Sequence, residues 1–205
     1  MYKNVWIETY NSLGEKVAHR RSGDRAVGKA LWSAKRSASG KDIYKWMRSV
    51  KAGDIILHFD KDKKILEGSS VVVSKQYEEV DGIKDSNFPP LANNEKYILW
   101  RLGRFEKLKY PILLLDEINK DENFELLITI KDGYKKELKS GFQDVFYRNA
   151  TALQKTNFRL KQSGLYPVGK TLLTFINNIY GQKTVRNIPH VNSEFLWPNY
   201  TDLLE

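Results

Sequence analysis

The stretch that most constrains the fold is "VKAGDIILHFDKDKKILEGSSVVVSK", residues 50 to 75. Two apolar, β-branched runs flank the polar turn "DKDKK", so Asp54 to Phe59 and Ile65 to Ser74 read as a β-hairpin. Both runs are apolar enough to lie in the middle of a sheet rather than at its edge. Such a hairpin cannot stand alone and needs further strands. "NVWIETY" offers one, with Val5, Ile7 and Thr9 on one side and Trp6, Glu8 and Tyr10 on the other. "KYILWRLGRFEKL" offers another, with Tyr97, Leu99 and Arg101 opposite Ile98, Trp100 and Leu102.

Helical signals punctuate these strands, which makes the class α+β. In "DIYKWMRSV", Ile43, Trp46, Met47 and Val50 recur at i, i+3, i+4 and i+7, the spacing of one buried helical face, and Ser39 stands ahead of it as a cap. Residues 142 to 160 read as helical. "YPILLLDEI" and "FELLITIK" fit either state, since short apolar runs do not declare their period. From Lys75 to Glu95 the chain is polar, with Gly82, Pro89 and Pro90, and reads as a loop long enough to be functional. One domain is expected over residues 1 to 183, with residues 184 to 205 as an extension whose Phe195, Leu196 and Trp197 pack back onto it.

Residues 164 to 171, "GLYPVGKT", fit G-x-x-x-x-G-K-[ST] at every fixed position. A phosphate loop also needs a buried strand before it and small residues within it. Here "TNFRLKQS" precedes it, and Tyr166, Pro167 and Val168 crowd it. The better reading is a turn at Gly164 and Pro167, then a helix whose Leu172, Leu173, Ile176 and Tyr180 face the core.

Other chemistries fall away in turn. The chain has no cysteine, which removes disulfides, thiol nucleophiles, thiolate metal sites and zinc deaminases. The start lacks the layout of a signal peptide and no run approaches the ~18 apolar residues of a membrane helix, so a soluble, cytoplasmic protein is expected. His19, His58 and His190 have no ligand spacing, and His58 alternates within a strand, where a satisfied structural histidine is the commoner outcome. A nuclease of the PD-(D/E)xK kind wants an acidic residue two before a lysine on a strand. "LLITIK" offers Thr129 before Lys131 instead, and Asp116, Glu117 and Glu125 read as solvent-facing.

Charge points to a partner. There are 34 Lys and Arg against 25 Asp and Glu, a net charge of +9, which favours polyanions. The excess is concentrated between Lys16 and Lys51, where only Asp24 and Asp42 oppose the cations. A solvated surface is the alternative for any basic run, and the aromatic residues among these cations tilt the reading toward nucleic acid.

The order strand, basic loop, "ALWSAKRSASGKDIYKWMRSVKAGDIILHF", turn, "ILEGSSVVVSK" resembles the YTH and EVE branches of the PUA-like superfamily. The carrying parts are "LWS", the "VKAGDIILHF" strand and the "I-x-G-x-S-x-V" strand, and "LWRLGRFEKLKYPILLLDEI" is similar to the later sheet segment. It looks most like the N-terminal reader domains of McrB-type modification-dependent restriction systems. The resemblance implies a small curved β-barrel with flanking helices, without a cofactor, that binds a methylated base flipped from duplex DNA into an aromatic cage. Methyladenine and methylcytosine both remain open. A binding domain is implied rather than an enzyme, so that any nuclease or GTPase activity belongs to a partner or to the rest of a longer chain. An RNA-binding PUA-like domain for methylated RNA is the alternative, a nuclease the more distant one.

Trp32 of "LWS" matches the first cage tryptophan of the YTH pattern; a core tryptophan is its alternative. Ser33 is expected at the base edge or a phosphate, or as a cap or turn residue. Tyr77, Phe88 and Trp100 are the candidates for the remaining walls, although Trp100 lies in an alternating strand and fits the core as well. No second tryptophan falls in the 75 to 95 loop, a departure from the family that leaves the base unidentified. Trp46 is assigned to the core. Arg20, Arg21, Arg25, Lys29, Lys35, Arg36 and Lys41 are expected to grip phosphates, a contribution that fades with salt.

Overall fold

In the computed structural model, the described residues are 4–13, 22–35, 45–81, 96–120, 146–148, 158–160, 164–168 and 170–187. The hairpin forms where expected, as β3 (Ile55–Asp60) and β4 (Ile65–Val72). Around it lie β1 (Val5–Tyr10), β2 (Ala30–Ala34), β5 (Glu78–Asp81), β6 (Lys96–Ile112) and β9 (Gly164–Pro167). They make a mixed seven-stranded sheet of order β2-β6-β4-β3-β1-β9, with β5 added on β6. Among the described strand pairs, only β1 and β3 run parallel to each other.

Burial shows that this sheet curls. Leu31 on β2 and Leu165 on β9 come from opposite ends of the strand order, yet both join one cluster with Trp6, Ile56, Val72, Ile98, Trp100 and Leu102. That is possible only if the two ends approach, and the sheet is accordingly a nearly closed barrel with this cluster inside, the PUA-like form. Met47 and Val50 fill it from the side. The opposite face of the same strands, with Val5, Ile7, Ile55 and Leu57, packs on α1 (Leu114–Ile118) and α2 (Lys170–Asn187). Strands β1 and β3 are therefore buried on both faces, which is why their burial is unbroken although their sides alternate as the sequence predicts.

β6 makes the curl. Its first half pairs with β2 on one edge and β5 on the other, while its second half pairs with β4. Two register breaks against β4 and a left-handed Arg104 (φ 52°) kink it at Arg104 and Phe105. The kink lays Phe105 against Gly28, whose φ of 81° already requires glycine. A Cβ at Gly28 would meet Phe105 Cγ at 2.5 Å. Gly28→Ala is expected to destabilise the fold by about 1–3 kcal/mol, read as a lower denaturant midpoint. A Phe105→Ala background should relieve the clash but not the backbone strain.

Four sequence expectations change. Among the described residues the predicted 42–50 helix is a short 3-10 turn, Lys45–Arg48; Met47 and Val50 are buried and Trp46 is half-buried against the inner cluster. Gly164 to Pro167 is an edge strand on β1 rather than a turn, and Pro167 is tolerated there because β9 has no partner on its other side among the described strands. Phe146–Arg148 and Phe158–Leu160 are strands β7 and β8 paired with each other, not helix, in keeping with their aromatic residues. The polar stretch after Lys75 begins as strand β5, held by the free edge of β6. "YPILLLDEI" divides between the end of β6 and α1, whereas "FELLITIK" lies outside the described residues. Leu172, Leu173, Ile176 and Tyr180 of α2 are buried as read. The expected boundary after residue 183 falls within α2, and residues 188 to 205 lie outside the described residues.

Candidate nucleic-acid interface

Trp32 lies on β2 opposite Leu99 of β6. Residues facing each other across an antiparallel pair share a face, and neighbours along a strand alternate. Leu31 faces Trp100 and points into the barrel, so Trp32 points outward. There its indole is half-buried, with the Tyr97 ring 5.1 Å away at 37° and the Arg25 guanidinium 5.1 Å from the ring centre. Arg25 in turn donates to the Asp81 carbonyl at 2.9 Å. Two aromatic rings and a stacked cation on an outward face are what a flat, electron-poor ring can join.

This geometry divides the sequence-predicted cage. Trp100 is 3% exposed, donates its Nε1–H to the Met47 carbonyl at 2.7 Å, and meets Tyr77 edge-on at 5.8 Å. Both rings belong to the barrel interior, Trp100 within the core and Tyr77 half-buried against it. They lie across the sheet from Trp32, and Trp100 has no face left for stacking. Ser33, facing Ile98, likewise turns to the inner side. Tyr97 takes the neighbouring position that the sequence assigns to Tyr77 and Trp100. Phe88 lies outside the described residues, as do Arg20, Arg21, Arg36 and Lys41.

The described cations are mostly engaged. Lys29 is exposed, whereas Lys35 pairs with Glu79 of β5. Arg101 holds Glu78 through its guanidinium, Nε to Oε1 at 3.0 Å and Nη2 to Oε2 at 3.1 Å, which keeps the Glu78 carboxyl below its usual range. Lys96 Nζ meets Asp81 Oδ1 at 2.6 Å. The acidic residues of β5 are not legible as site residues in the sequence, because only the cross-strand register sets them beside these cations.

A second polar group lies deep in the barrel. His58 Nδ1 is 2.9 Å from Glu8 Oε2, and Nε2 is 2.8 Å from Ser70 Oγ, with all three residues buried. His58 is thus the satisfied histidine that its strand position predicts. Tyr10 donates to Glu67, and burial followed by that bond pushes its hydroxyl well above the usual tyrosine range. No group of three His, Asp or Glu side chains able to hold a metal occurs among the described residues. No helix among them is long and apolar enough to cross a membrane.

No protein-family model and no curated protein matches the chain. Solved structures do resemble it. A hypothetical protein from Leishmania major is 14% identical with a TM-score of 0.47, covering 89% of this chain and 97% of that one. Human THYN1, in complex with DNA containing 5-methylcytosine, is 11% identical with a TM-score of 0.45, covering 87% and 98%. The N-terminal domain of Staphylothermus marinus McrB is 14% identical with a TM-score of 0.38, covering 63% and 95%.

Proposed function

We propose that the protein reads a methylated base flipped from duplex DNA and stacks it at Trp32. It would serve as the specificity domain of a modification-dependent restriction system whose nuclease or GTPase is a partner. The observation that carries this is the outward Trp32 indole with Tyr97 and Arg25 around it. The sequence resemblance of "LWS" to a cage tryptophan supports the same residue. Flipping a base loses a few kcal/mol of stacking and pairing, which a protein ring must return. One aromatic stack returns about 1–3 kcal/mol, and burying a methyl adds about 0.8 kcal/mol.

The test is a titration with matched duplexes carrying adenine, methyladenine, cytosine or methylcytosine at two salt concentrations. One methylated duplex should bind most tightly, and all four should weaken as salt rises. Trp32→Ala should weaken the preferred duplex by roughly 5- to 150-fold, the equivalent of one lost stack, while leaving unmodified duplex nearly unchanged. Equal affinity for all four duplexes, or full discrimination in Trp32→Ala, would sink the reading.

A further inference from the structure

The sequence keeps the basic segment and strand β5 apart, and the fold brings them together. β5 carries Glu78, Glu79 and Asp81, three carboxylates in four residues, and all three meet cations along the first half of β6. Glu78 takes Arg101, Glu79 takes Lys35 and Asp81 takes Lys96. Arg25, set over Trp32, donates to the Asp81 backbone carbonyl. Lys35 and Arg25 are two of the residues expected to grip phosphate. A row of carboxylates on guanidinium and ammonium groups reproduces the contacts that a phosphate backbone would make.

We propose that β5 is an internal phosphate mimic that determines specificity, holding these cations until a modified base engages Trp32. The proposal rests on the base-reading role of Trp32. Exposed ion pairs of this kind are weak enough to exchange. An unmodified duplex gains little by the exchange, since each new phosphate contact replaces an existing carboxylate contact, and it binds with the cations still on β5. A base entering beside Trp32 must displace Arg25, which breaks the link to Asp81 and frees the row for the backbone. Phosphate contacts are then added only to the modified complex. The device works against the wrong ligand rather than for the right one, and specificity is the difference between the two affinities.

Salt dependence reads this directly, because its slope counts phosphate contacts. For the wild-type chain, the slope should be steeper on the preferred methylated duplex than on its unmodified match by about two to three contacts. In the variant Glu78→Gln/Glu79→Gln/Asp81→Asn the cations are released at all times, so the two slopes should converge. Affinity for unmodified duplex should rise roughly tenfold at low salt, more than for the methylated one. Glu79→Gln alone, a single exposed and nearly isosteric change, should move both quantities the same way by less. Slopes that differ as much in both variants as in wild type would overturn the mimic, and so would equal gains on the two duplexes. Trp32→Ala measured alongside separates the failures: discrimination kept in it removes the base-reading role itself. Discrimination lost in it, with both β5 variants behaving as wild type, removes only the mimic.

Discussion

Replacing His58 by alanine is expected to lower the stability of the fold by about 3–5 kcal/mol, the range for breaking a buried charged pair by removing one partner. His58 has no solvent exposure and links Glu8 on one ring nitrogen to Ser70 on the other. With Glu8 ionised, Nδ1 carries the proton, leaving Nε2 to accept the Ser70 hydroxyl or, in the imidazolium, to donate to it. Deleting the ring leaves the Glu8 carboxylate inside the barrel without this donor, and it leaves a cavity beside Phe105, whose ring sits 5.6 Å from the imidazole. The comparison that isolates the pair is Glu8→Leu/His58→Leu. Exchanging both partners for apolar groups removes the stranded charge, so the double variant should recover much of the loss. Chemical denaturation of wild type, the two single variants and the double variant gives the coupling. Additive losses would mean that the two side chains do not act as a pair.

The same network explains what sequence reading can reach. The alternation of "NVWIETY" and "KYILWRLGRFEKL" places Glu8 with Trp6, and Trp100 with Ile98, correctly by side. What alternation cannot supply is which strand lies next to which. That β1 runs parallel to β3, so that Glu8 meets His58, follows from the whole topology. The same gap affects the binding face. Tyr97 stands in the sequence on the side of Leu99 and Arg101, yet its place beside Trp32 comes from the pairing of β2 with β6. The family pattern groups Tyr77 and Trp100 with Trp32, and one residue of parity in the register of β2 separates them. The 42–50 segment misleads for another reason. Its apolar spacing fits a helix, but a single 3-10 turn suffices to bring Met47 and Val50 into the barrel. Strand β5 reads as loop because its residues are polar, and its pairing comes from the open edge of β6 rather than from burial.

Asp54→Ala carries the second large expectation, a loss of about 3 kcal/mol from buried donors left without an acceptor. Asp54 closes the "VKAGD" turn, where Gly53 adopts a φ of 87° and the backbone returns into β3. Its carboxylate, 2% exposed, accepts from Trp6 Nε1 at 2.8 Å, Lys51 N at 2.9 Å and Asn4 N at 3.1 Å. One side chain thus ties the start of β1, the 3-10 turn and the start of β3, and it orients the Trp6 indole that floors the inner cluster. Asp54→Asn separates charge from shape: its carbonyl can serve one or two of these donors, but its amide nitrogen meets the rest with a second donor. It should therefore fall between wild type and Asp54→Ala. Trp6→Phe in the Asp54→Ala background should lose less than it does in wild type, since the indole N–H it removes is already unsatisfied. Thermal and denaturant unfolding of the four proteins measures this coupling, and an Asp54→Ala midpoint equal to that of wild type would refute the role of the carboxylate. The "KAGD" resemblance would then reflect only the glycine and the turn it allows.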